Sequence, residues 1–259
     1  MSFGSILHKF DYISTTSADD REVNFNNTSM SRLGFKLLGI PHIGLRLRAR
    51  KIMQNIPSRV TRMLDAGFGT GVYSFTLADR VSTIDAIDVD SQKVDYVKRM
   101  NINLFRNIRL QTMDLTELTF ANCSFDLIIC SDVLEHIKED ELAFYQLGRV
   151  LKSGGTLLLT VPYDSKKNSL TYEHYHHERP GYTEAKIRKL CAENGLTVDK
   201  SEGYSYLFAD KVTHIGGTLF NKKIVLIVFF SVLYPLAIMS EYLAVKHHPN
   251  GIFFKIIKK

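Results

Sequence analysis

Three carboxylates and a glycine-rich bend are spaced so that one ligand can meet all of them. Leu64-Asp65-Ala66-Gly67-Phe68-Gly69-Thr70-Gly71 places glycine at every second position after an apolar run. Glycine lets a backbone turn tightly and approach a ligand with no side chain in the way. Asp88 closes the next apolar run, and Asp114 follows the one after. A carboxylate at 88 can accept from both hydroxyls of a ribose, because it offers several lone pairs on two oxygens. Asp114 can accept from the exocyclic amine of a base, with Met113 and Leu115 as apolar walls and Val89 in the same cradle. The spacing describes a pocket for a nucleoside-bearing cofactor. A nicotinamide dinucleotide fits less well. Its G-x-G-x-x-G fingerprint wants a sixth-position glycine, and Val72 stands there. Asp65, two residues before the first glycine, is also foreign to that fingerprint. A carboxylate there can hold the turn and meet the positive end of an amino-acid-bearing cofactor.

Such residues act together only if strand ends carry them to one edge of a sheet. The pattern predicts strands over 62–65, 83–88, 108–114, 125–130, 155–161 and 196–201, with a last candidate at 251–258. Helices are expected from Gly71 to about residue 80 and over 91–103, 139–150 and 183–194. Ser91 and Thr183 are candidate caps, and Gly195 is the expected stop. Strands alternating with helices of this length imply an α/β fold. The expected architecture is a doubly wound, mostly parallel, seven-stranded sheet with an apolar helical insertion before the last strand. Four regions follow: a loose helical cap at 1–57, the cofactor domain at 58–211, the apolar insertion at 212–248, and the last strand with a basic tail at 249–259. Within the cap, 31–56 reads as one or two helices broken near Pro41.

LDAGFGTG, AIDVD, MDL, FDLIICSDVLEHI and LKSGGTLLLTVP together resemble the class I S-adenosylmethionine-dependent methyltransferases. The similar branch contains the quinone-pathway and other small-molecule methyltransferases, and the likeness covers about residues 58–200. The resemblance implies S-adenosyl-L-methionine as cofactor. It also implies that Asp65, Gly67, Gly69 and Gly71 border the methionine part, that Asp88 takes the ribose, and that Asp114 takes the adenine amine. Cys130 and Ser131, at the end of the fourth strand, would line the cofactor.

A sulfonium cofactor carries the difficult chemistry, so the chain must place an acceptor in line with the methyl carbon. An oxygen acceptor also needs a base. His136, in Asp132-Val133-Leu134-Glu135-His136, follows the fourth strand and is the first candidate. His174 and His176, in the loop Tyr172-Glu173-His174-Tyr175-His176-His177-Glu178, are the second. That loop also reads as a solvated surface segment or as a source of metal ligands. It lacks a firm ligand spacing, so no metal is assigned. Two other functions stay open: a non-catalytic cofactor-binding module that assists a membrane enzyme, and an aminopropyl-type transferase on the same fold.

Net charge is +6 and the isoelectric point is near 9.1, which favours anionic partners. No zinc-finger spacing or dense basic run is present, so nucleic acid is not an expected partner. Cys123, Cys130 and Cys191 are scattered and odd in number, as expected of reduced, buried thiols. With no signal-like start, the expected location is the cytoplasm, at the inner face of a membrane. The membrane expectation rests on residues 224–245, where Ser231, Pro235, Ser240 and Glu241 are the four non-apolar residues. As a helix this segment would be ~33 Å long. Lys222, Lys223 and Lys246 flank it. If 251–258 rejoins the sheet, both ends of the insertion lie on one side, which argues against a single crossing. An interfacial or re-entrant contact through 222–246 is expected, with homodimer packing as the alternative. The expected acceptor is a small or lipid-linked molecule, glycan or quinone-like.

Overall fold

The computed structural model describes residues 43–69, 71–101, 106–165, 177–204, 236, 239 and 249–259. Its elements are α1 (Ile43–Gln54), β1 (Arg62–Ala66), α2 (Val72–Leu77), β2 (Thr83–Asp88), α3 (Ser91–Asn101) and β3 (Ile108–Thr112). β4 (Phe125–Ser131), α4 (Asp140–Val150), β5 (Leu151–Pro162), α5 (Glu184–Glu193), β6 (Leu196–Tyr204) and β7 (Gly251–Lys258) follow. The seven strands form one sheet in the order β3-β2-β1-β4-β5-β7-β6. β3 through β5 run parallel, and β7 lies antiparallel between β5 and β6. The chain starts at β1, moves outward to β3, then returns to the other side of β1 as β4. Strand order therefore reverses between β1 and β4, where open α/β sheets bind ligands beyond their carboxyl ends.

The central strands are apolar because helices cover both faces. Along β4, Leu127 and Ile129 join Leu47 and Ile52 of α1 and Tyr73 and Leu77 of α2. Ile128 and Cys130 point the other way, into Phe144 and Leu147 of α4 and Ile187 and Leu190 of α5. This is the two-residue alternation of a strand buried on both sides.

The sheet and its last strand match the expectation from the sequence. Three local readings are corrected. β3 ends at Thr112, and Asp114 instead caps a 3-10 turn over Leu115–Glu117. Asp90, not Ser91, caps α3: its Oδ1 accepts from the Gln92 and Lys93 amides at 2.9 and 3.2 Å. β5 starts at Leu151, directly after α4, and absorbs the Gly154-Gly155 pair as a register irregularity opposite Phe125 and Leu127. The expected α5 cap holds, since the Thr183 side chain accepts from the Lys186 amide. All three cysteines are free thiols, but Cys123 is exposed rather than buried.

Most of the expected cap and insertion lies outside the described residues. Leu236 and Met239, within the insertion, are helical and exposed. Among the described residues no helix is long and apolar enough to cross a membrane.

Candidate active site

Gly67, Gly69 and Gly71 all adopt left-handed backbone angles, with φ of 74°, 54° and 81°. The bend is pinned to β2, because the Gly67 and Phe68 amides both donate to the Ile87 carbonyl, at 2.8 and 3.0 Å. Gly67 has no room for a side chain: a Cβ there would lie 2.4 Å from Val133 Cγ2. Asp88 ties the bend to the end of β2. Its Oδ2 accepts from the Gly69 amide and its Oδ1 from the Asp90 amide, each at 3.0 Å. Each oxygen keeps a further acceptor direction, so the carboxylate can hold the bend and still meet a diol. Val89, next along the chain, is 69% exposed, an unusual place for a large aliphatic side chain beside buried β2.

Asp65 sits lower in the same corner and is buried. Its Oδ2 accepts from the Ser74 amide at 3.1 Å and from Ser74 Oγ at 2.6 Å, which anchors α2 beneath the bend. Burial, with the nearby Asp88 charge as a lesser cause, pushes its carboxyl up to about 6, against the Ser74 bonds that lower it. Asp65 thus builds the turn from below, while Asp88 borders it from the end of β2. Met113 is half-buried beside the Asp88 carbonyl, to which its amide donates at 3.0 Å. Leu115 is buried in the core, and Asp114 is exposed, its Oδ1 engaged by the Thr116 amide and hydroxyl at 2.8 and 2.7 Å.

At the end of β4 the two expected residues diverge. The Cys130 side chain is sealed in the core, and burial pushes its thiol far up, so only its backbone can border a ligand. Ser131 joins a polar cluster: its hydroxyl lies 3.3 Å from Tyr73 OH and 3.0 Å from Thr160 Oγ1. Thr160 Oγ1 also donates to Asp132 at 2.9 Å, and Arg48 from α1 pairs with the other Asp132 oxygen. Burial raises the Tyr73 hydroxyl, with Arg48 opposing it. Sequence reasoning missed Arg48, Tyr73 and Thr160. No local motif marks them, because the cluster joins α1, α2 and β5 only in three dimensions.

His136 is exposed at the end of a 3-10 turn over Leu134–His136, beside the same edge of the sheet. Its ring meets His177 edge to face, with centroids 4.5 Å apart. Glu135, between His136 and the core, is fully buried. His174 and His176 lie outside the described residues. The quoted loop therefore delivers His177, a member that sequence reasoning did not single out. The local signal was the following Glu178-Arg179-Pro180, whose Arg179 reaches back to the turn.

A family model, the methyltransferase domain, matches residues 64–159, from β1 through most of β5. These residues form an S-adenosylmethionine-dependent methyltransferase domain. A ubiquinone biosynthesis O-methyltransferase of Coxiella burnetii is 28% identical over 115 residues, covering 44% of this chain and 49% of that protein. An uncharacterised methyltransferase of Mycobacterium tuberculosis is 30% identical over 118 residues, covering 44% and 58%. The chain spans about half the length of the curated relatives it matches. Among solved structures, phosphoethanolamine N-methyltransferase 2 of Haemonchus contortus, bound to S-adenosyl-L-methionine, has a TM-score of 0.61 at 20% identity. That alignment covers 92% of this chain and 58% of the other, a likeness of fold. In the methyltransferase domain the glycine bend, Asp88 and the β4 edge meet at the reversal point of the sheet.

Proposed function

We propose that this methyltransferase moves the methyl group of S-adenosyl-L-methionine to a hydroxyl oxygen of a small or lipid-linked acceptor. The observation that carries this reading is the Gly67–Gly71 bend, left-handed at three glycines and tied to Asp88 where strand order reverses. There the ribose would sit on the spare acceptor directions of Asp88, with Val89 against the base and Asp114 within reach of its amine. The acceptor oxygen attacks the methyl carbon in line with the C–S bond. The electron pair of that bond returns to sulfur, and the sulfonium becomes a neutral thioether. The hydroxyl proton must leave, and imidazole at the rim of the site supports oxygen as the receiving atom. The relative from ubiquinone biosynthesis supports an isoprenoid or aromatic hydroxyl acceptor. Peripheral attachment to the inner face of a membrane through 222–246 completes the reading, on the strength of the lysine-flanked apolar sequence alone.

Calorimetry with S-adenosyl-L-methionine tests the site, and mass spectrometry of lipid and glycan extracts incubated with the protein tests the reaction. Asp88→Ala is expected to weaken cofactor binding by ~1.5–3 kcal/mol, the loss of a charged acceptor. Unchanged affinity removes Asp88 from the site. Cofactor binding without a gain of one methyl unit in any extract favours the non-catalytic binding module.

A further inference from the structure

Beside the cofactor corner, the segment after the histidine loop is clamped to the turn after β4. The Arg179 guanidinium donates to the carbonyls of Leu134, Ile137 and Lys138 at 2.8, 2.6 and 2.9 Å. The Glu178 amide donates to the Glu135 carbonyl at 2.8 Å. This clamp sets His177 against His136 and above Glu135. One ligating atom from each of Glu135, His136 and His177 lies within 4.8 Å of the other two.

A second observation points into the same spot. The Glu135 side chain is fully buried, and neither carboxylate oxygen has a hydrogen-bond partner. Burying a carboxylate with no partner is costly unless a proton or a cation meets it.

We propose that Glu135, His136 and His177 bind one divalent transition-metal ion of the zinc class. Two imidazoles and one carboxylate are a donor set suited to zinc, with a coordination position left over. Bonds of ~2.0–2.2 Å place such donor atoms ~3.3 Å apart. Binding would draw the three atoms inward from their present spacing of up to 4.8 Å. The ion's part in the reaction rests on the methyltransferase reading above. The open position takes the acceptor hydroxyl and lowers its pKa, so its proton passes to solvent. The oxygen then bonds to the methyl carbon as the C–S pair returns to sulfur, and no oxidant or reductant is needed. His136 acts in this scheme as a ligand rather than as the base.

The test uses the full chain, stripped with a chelator, titrated with Co2+ and followed by its visible absorption, with Zn2+ calorimetry in parallel. One ion per chain is expected. Glu135→Gln, His136→Ala and His177→Ala should each lower Co2+ affinity at least about tenfold, while Glu139→Gln, an exposed acid nearby, retains it. The metal should also raise the unfolding midpoint of the unsubstituted chain more than that of the three variants. No saturable Co2+ binding, or equal affinity in a folded Glu135→Gln protein, overturns the site. S-adenosyl-L-methionine calorimetry on the same samples separates the two claims. Metal binding without cofactor binding upholds the site and removes the methyltransferase reading; cofactor binding without metal binding does the reverse. If both bind, turnover that survives chelation unchanged overturns the acceptor-coordinating role.

Discussion

Replacing Asp65 by asparagine should shift the balance of stability toward the variant as pH rises to neutrality, although Asp65 anchors the cofactor corner. The native carboxyl titrates at about 6, where an unfolded aspartate titrates near 3.8. Between those values the folded chain holds a proton that the unfolded chain has lost. Stability therefore falls as pH rises through this window and stays reduced above it. At ~1.4 kcal/mol per pH unit, the interval from 3.8 to about 6 amounts to about 3 kcal/mol. The group is fully buried, so solvent screening removes little of this. Asparagine keeps an oxygen to accept from the Ser74 amide and hydroxyl. Urea unfolding of Asp65→Asn and the unsubstituted protein, without cofactor and with chelator present, gives the difference at each pH. Any fixed cost of the new amide cancels when the difference is followed from about pH 4 to pH 7.5. The variant is expected to gain about 2.4 kcal/mol relative to the parent across that range, the rest of the change lying below pH 4. A difference that does not change with pH, or one that moves in the parent's favour as pH rises, refutes the claim that burial dominates over the Ser74 bonds.

Gly67→Ala should cost ~1–2 kcal/mol for its left-handed backbone, and more because its Cβ would press on Val133 at 2.4 Å. A thermal melt reads the loss, and cofactor calorimetry should show weaker binding; an unchanged melting temperature would mean the bend tolerates a side chain. Arg179→Lys should lose ~1.5–3 kcal/mol, because one ammonium cannot span the three carbonyls and the Tyr182 hydroxyl that the guanidinium reaches. It should also weaken Co2+ affinity, since His177 is then no longer held against His136; equal stability and equal affinity would show that the clamp is redundant.

Much of the cofactor half was legible because its signals are local. Glycines 67, 69 and 71 permit left-handed angles at no steric cost, and each adopts one. Asp88 follows from the length of β2, which ended where the pattern placed it. Asp114 was read as closing β3, yet it caps a turn two residues beyond the strand. Its identity as a preferred cap residue, depleted in strands, is the signal that fits the turn. The acceptor half was less legible. His136 was singled out, but its neighbour His177 was passed over for His174 and His176, which lie outside the described residues.

By itself the sequence determined the alternation of strands and helices, a last strand at 251–258 and the glycine bend, because periodicity, turn residues and backbone freedom act over a few neighbouring residues; the antiparallel seat of β7 between β5 and β6 came from tertiary pairing. Tertiary structure alone decided which distant side chains share an environment. It buried Glu135 without a partner, set His177 on His136 across about forty residues of chain, and drew Arg48 from α1 onto Asp132. Burial and long-range pairing set the charge state of such groups, and neither is encoded in the spacing of letters along one segment.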